Sequence, residues 1–320
     1  VESARDLLVS LAQRYAFADL GALAPGVVKD ASNIEVVCEF GQRLLSLDAE
    51  DFAVEARAVP SDLRRRARAC TMPQTPREQP RGALESLRPA YALLLEVIAV
   101  RWYRRELSSM VAAVHIASEY LPLLAFEPVL GSAGDPARWP EGLSAPGSRF
   151  GVIGDRDCDH TKAEQSAVNR TLRVAQEPAE GWRAYLDRQH SQVAGALATC
   201  VAECRNPCTA MDWIQESRRE DLARRARVAL TFADTPLVRL RHAAPVGHGF
   251  GVPSPEEVLE AWDRSRTILS KNEMGREAAK DDGFPLPGLP SLFSAVAAAP
   301  LTPSTLLMDT ATHLVKLLRL

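Results

Sequence analysis

Residues 84–125 read LESLRPAYALLLEVIAVRWYRRELSSMVAAVHIASEYLPLLA, and this stretch decides the fold class. Leu87, Leu94, Val97, Ile98, Trp102, Leu107, Val111, Val114 and Leu121 return at intervals of three, four and seven or near multiples of them. That spacing lines apolar side chains along one face of a helix. Pro89 stands near the first turn, where the missing amide is harmless. Pro122 is expected to kink or end the segment, because a helix interior needs the amide that proline lacks. The most apolar part, Tyr91 to Val100, is interrupted by Glu96 and followed by Arg101, and it has about half of the roughly 20 residues needed to span a bilayer.

Working outward, the same period recurs. Leu7, Leu8, Leu11, Tyr15 and Ala18 form a stripe that predicts one amphipathic helix from Ser3 to Leu20. Val36, Val37, Phe40, Leu44 and Leu47 predict a helix from about Ile34 to Leu47, and another runs from Pro60 to Ala69. Pro73, Pro76 and Pro80 make residues 72–81 a loop. Downstream, helical content is expected over Thr161 to Gln176, Ala179 to Cys204 and Ala210 to Ala233. Ser254-Pro255-Glu256-Glu257 announces a helix to about Ser270, with a cap, a proline at the first position and two acids in the first turn. Pro236 to Pro253 and Gly283 to Pro290 read as Pro/Gly punctuation, and Pro303 to Leu320 as a short closing helix. Only Phe150 to Ile153 looks strand-like, and one strand makes no sheet.

These elements predict a mainly α, irregular multi-helix protein with two helical lobes joined by long Pro/Gly-rich connections. The composition shift from Glu127 to Ser148 suggests an N-terminal lobe over 1–130, a linker over 131–149 and a C-terminal lobe over 150–320.

The chain has 320 residues, 46% apolar and 25% charged, with a net charge of −3. That balance suits a globular protein and excludes a uniformly basic nucleic-acid binder. Lysine occurs five times against 33 arginines, a bias that points to a GC-rich bacterial genome. Local basic patches remain candidates for an acidic protein partner or nucleic acid: Arg64, Arg65, Arg66 and Arg68, then Arg101, Arg104 and Arg105. A third run, Arg218 to Arg227, interleaves with Glu216, Glu220 and Asp221 and reads as a solvated, ion-paired face. Six cysteines are too few for a disulfide scaffold and no secretory leader is read at the start, so the expected compartment is the cytoplasm and no membrane partner is expected.

Three cysteines at four-residue spacing, Cys200, Cys204 and Cys208, carry the strongest chemical signal. Thiolate and imidazole suit tetrahedral zinc, so Cys158, His160 and His190 complete the candidate ligand set. The plainer reading makes Cys200 and Cys204 small core residues. Asp155, Asp157 and Asp159 alternate before a predicted helix and read as a cation site or as its cap. Histidine–glutamate motifs of zinc deaminases and zincins are incomplete, since Pro207-Cys208-Thr209-Ala210-Met211 lacks the second cysteine. Gly247-His248-Gly249-Phe250-Gly251 lacks the Lys-Ser/Thr of a phosphate loop and reads as a flexible turn. His115 and Glu119 fall one helical turn apart, without the second motif a di-iron bundle requires.

No complete catalytic signature emerges. The first functional reading is a non-catalytic scaffold or adaptor subunit of a protein or nucleoprotein assembly, with structural zinc as its one expected cofactor. The second is a metal-dependent hydrolase or deaminase-like enzyme built from residues 155–160 and 190–208.

Overall fold

Helical periodicity carries through to the structure, a computed structural model that describes residues 2–49, 51–71, 85–131, 191–204, 214–244, 247 and 249–320. The protein is mainly α-helical, and no strand occurs among the described residues. The strand-like Phe150 to Ile153, the helix expected over Thr161 to Gln176 and the proposed linker beyond Gly131 lie outside those residues.

The helices fall into two units. One gathers Val1–Met72, Pro89–Arg105 and Pro303–Leu320, and the other Pro73–Arg88 and Glu106–Thr302. In the first, α1 (Glu2–Gln13), α2 (Phe17–Leu23), α3 (Ser32–Leu45), α4 (Ser61–Cys70) and α5 (Arg88–Tyr103) are joined by α12 (Leu306–Arg319). Helix α12 packs on α1, α3 and α4. Helix α5 buries Tyr91, Leu93, Leu94, Leu95, Val97, Ile98 and Val100, an apolar surface all round that marks a helix enclosed by neighbours.

The second unit is built on α6 (Leu107–Leu130), against which α7 (Ser191–Ala202), α8 (Glu216–Ala233), α9 (Pro236–Arg239) and α11 (Leu289–Ala297) pack, while α10 (Pro255–Leu269) lies on α8 and α9. By length and composition α6 reaches the hydropathy of a bilayer span over Leu107–Val129, longer than the ten-residue stretch singled out from the sequence, and 67% of that window is buried within the protein. It is the central helix of this unit. The phenyl rings of Phe232 on α8 and Phe293 on α11 meet edge to face with centroids 5.5 Å apart.

Four expectations are corrected. The single helix from Ser3 to Leu20 is two, because the chain turns at Tyr15, whose φ is +57°. Leu8 and Ala12 are buried, whereas Leu7 is 56% exposed. The long segment from Leu84 is also two helices, broken at Arg104 to Glu106 with Arg105 at φ +61°. Pro122 does not end α6, since Leu121, Leu123, Leu124, Ala125 and Phe126 around it are fully buried and this packing outweighs the roughly 3 kcal/mol of a lost helical bond.

The fourth correction concerns one residue of the ion-paired arginine face on α8, where Arg218, Arg224 and Arg227 are exposed as expected. Arg225 is buried, held by Asp221 Oδ2 at 2.9 Å. Its guanidinium donates to the carbonyls of Ala125 on α6 and Val296 at the end of α11. Arg227 donates to Ala202 O, the last carbonyl of α7, at 2.6 Å. The Ala202 and Val296 carbonyls are among those that a helix terminus leaves unpaired, whereas Ala125 lies inside α6.

Candidate functional site

Each of the seven arginines proposed for a partner surface meets an acceptor or a ring within the first unit. On α4, Arg64 Nε donates to Val59 O at 3.1 Å, Arg65 pairs with Asp62 one turn away, and Arg68 reaches Glu55 Oε1 at 2.6 Å. Arg66 bridges to α12, donating to Asp309 Oδ2 and Thr305 Oγ1, both at 2.7 Å. Arg101 donates to Leu45 O, the last carbonyl of α3, at 2.7 Å. Arg104 donates to the carbonyls of Tyr15 and Arg14 where α1 ends, and Arg105 lies 5.6 Å above the Trp102 ring.

Of the six expected metal ligands, Cys200 and Cys204 are placed, both buried at the end of α7. Cys158, His160, His190 and Cys208, like Asp155 to Asp159, lie outside the described residues. Among the described residues no group of three or more His, Cys, Asp or Glu side chains is arranged to hold a metal ion. Elsewhere, burial pushes the thiols of Cys38 and Cys70 up to about 12, so each is a neutral core residue at physiological pH. His115 Nε2 lies 3.0 Å from Glu119 Oε1, and this hydrogen bond holds Glu119 below the usual carboxylate range.

Two glycines of the glycine-rich segment lie close against neighbouring backbone. A Cβ added at Gly247 would lie 2.2 Å from Arg241 O, and one at Gly249 equally close to Ala243 O. Only glycine fits there. Gly247 N donates to Ala244 O at 2.8 Å and Gly251 N to Ala243 O at 3.2 Å. The turn presents Phe250 wholly to solvent, with Val252 beside it in sequence 63% exposed. Glu256, Glu257 and Glu260 follow on the exposed side of α10. The second unit also has an open cleft of about 810 Å³ among α8, α11 and the 3₁₀ turn Met274–Ala279. Two of its carboxylates already face cations, Asp221 with Arg225 and Glu277 with Lys280.

One buried charge escaped the sequence-level site residues. Glu96, 6% exposed on α5, accepts from the amides of Leu307 at 2.9 Å and Met308 at 3.0 Å, both on Oε1. These are amides of the first turn of α12, so a side chain 211 residues away supplies the cap that Thr305 does not. Burial pushes the Glu96 carboxyl up to about 7, against the opposing pull of the Met308 and Leu307 amides, the Ser304 hydroxyl and the Arg66 charge. The signal was present as a lone acid inside YALLLEVIAV.

No protein-family model, no curated protein and no solved structure matches the chain.

Proposed function

We propose that the chain is a non-catalytic helical scaffold or adaptor subunit that holds a protein partner through Phe250 and Val252. The complete exposure of Phe250 on a turn that only glycine can form carries this reading. An exposed phenyl forgoes about 2–3 kcal/mol of burial, and aromatic side chains set in a partner's pocket are the usual anchors of protein interfaces. Gly247 and Gly249 lie against neighbouring backbone with no room for a side chain, so they set the ring's exposed position sterically. The glutamates on α10 disfavour an anionic lipid surface and suit a partner whose apolar pocket has a basic rim. Arg101, Arg104 and Arg227 then serve inside the subunit, where they bind helix ends.

Replacing Phe250 by a photo-crosslinking phenylalanine analogue in the full chain, in the cell that makes it, tests the assignment. One defined adduct with another protein is expected, absent when the analogue stands at exposed Thr267. Binding of that purified partner should weaken at least about tenfold for Phe250→Ala. Equal labelling at both positions, or unchanged affinity, overturns the reading.

A further inference from the structure

We infer that α12 is a proton-sensitive latch: it docks on the first unit most firmly when Glu96 is protonated and loosens when Glu96 is ionised. The geometry isolates one carboxyl at a mechanical junction. Glu96 belongs to α5, its amide partners Leu307 and Met308 open α12, and Ser304 N donates to Ala92 O at 2.8 Å one turn earlier on α5. The start of α12 is therefore fixed to α5 through three backbone amides and the Ser304 hydroxyl, and the ionisable member of that seam is Glu96.

The groups around it explain why its charge is poorly met. From α4, Arg66 is directed to Asp309 and Thr305, and Cys70 is a neutral thiol. From α12, Asp309 faces Arg66; burial pushes its carboxyl up, but the hydrogen bonds from Arg66 and Thr305 outweigh this and hold it ionised. Between α1 and α2, the Tyr15 hydroxyl is raised by burial and then by the Glu96 and Tyr103 charges, so it supplies no cation. Among the described residues no guanidinium or ammonium pairs directly with Glu96. Two amides and a helix N-terminus favour the anion, yet enclosure outweighs them.

Release of α12 returns Glu96 to water, where a carboxyl titrates near 4.3. The docked state therefore binds the proton more tightly than the released state. Docking strength is complete below the aqueous value, declines as pH rises from there toward about 7, and is level above it. His313, also on α12, is shifted the other way: burial lowers it below the ordinary histidine value. Docking therefore gains from His313 as pH rises toward the ordinary histidine value, so this residue opposes the Glu96 trend.

Hydrogen–deuterium exchange of the full chain, read on peptides from 306–319 and corrected for intrinsic base catalysis, tests the latch. Between about pH 5.5 and about pH 8 the opening constant of α12 should rise about ten- to thirtyfold, while that of α6 stays level. Glu96→Gln keeps a carbonyl acceptor for both amides and removes the charge, so the rise of opening with pH should be lost. His313→Gln removes the opposing group and should keep or steepen the rise. A pH-independent α12 in His313→Gln, or a rise that survives in Glu96→Gln, overturns the inference. If Glu96→Gln does not fold, Arg66→Gln decides: loss of the neighbouring cation should move the midpoint to higher pH, and an unmoved midpoint counts against the latch.

Discussion

A guanidinium carries five donors in a rigid fork, and this chain places that fork repeatedly where helices leave carbonyls unpaired. Arg101 closes α3, Arg104 closes α1, Arg227 closes α7, and Arg225 joins Asp221 to carbonyls of both α6 and α11. A lysine ammonium reaches one such oxygen but cannot hold two directions from one plane. Arg225→Lys is therefore expected to destabilise the second unit by about 2–4 kcal/mol, because it leaves buried acceptors unmet. Urea denaturation followed by circular dichroism checks this, and a loss under about 1 kcal/mol would mean that the carbonyls find other donors. The arginine clusters were legible in the sequence and their acceptors were not. A donor such as Arg104 announces itself by type, whereas the Tyr15 carbonyl it meets is a backbone atom with no residue signature.

At the scale of the element, starts were easier to read than stops. Helix α10 opens with the anticipated cap: Ser254 Oγ accepts from Glu257 N at 3.2 Å, and Glu257 Oε2 accepts from Ser254 N at 2.7 Å. This reciprocal capping box is worth about 1 kcal/mol. Helix ends are usually flagged by a glycine in the left-handed region, but here Tyr15, Leu47 and Ala298 occupy that place with φ of 57°, 55° and 50°. The bonds are those of the glycine motif all the same: Ala16 N to Leu11 O, Asp48 N to Arg43 O and Ala299 N to Ser294 O. A helix stop without glycine has no sequence mark, which is why α1 and α2 read as one. Helix α11 was hidden for a different reason. It follows a Pro/Gly run, and its cap comes from Asp282, which accepts from Gly288 N at 2.9 Å and from the Ser291 hydroxyl at 3.0 Å. Strain at a non-glycine stop is open to test at exposed Ala298. Ala298→Gly should raise stability by about 0.5–1 kcal/mol, since relief of the left-handed alanine exceeds the added freedom of the unfolded chain. An unchanged or lowered urea midpoint would show that the turn holds alanine without penalty.

Over the whole molecule, periodicity specifies that the chain is helical but not which helices share a core. The cap that Glu96 lends to α12 joins positions 211 residues apart, and no local pattern encodes that pairing. The placement of large apolar side chains separates folding from partner contact more sharply. Phe17, Phe40, Phe52, Phe126, Phe232 and Phe293 are fully buried, while Phe250 is fully exposed. Truncating a buried ring removes transfer energy and leaves a cavity, so Phe232→Ala should cost about 3–5 kcal/mol. Phe250 touches too little of its own chain for either effect. Phe250→Ala is therefore expected to hold the urea midpoint and its slope within about 0.5 kcal/mol of the wild type. A loss comparable to Phe232→Ala would place the Phe250 ring in the subunit's own core and remove the observation on which the adaptor reading rests. Unchanged stability together with weakened binding of the crosslinked partner would assign the side chain to contact with another molecule, because packing among the described residues would then not account for an aromatic ring held in water beside glycines that no other residue can replace.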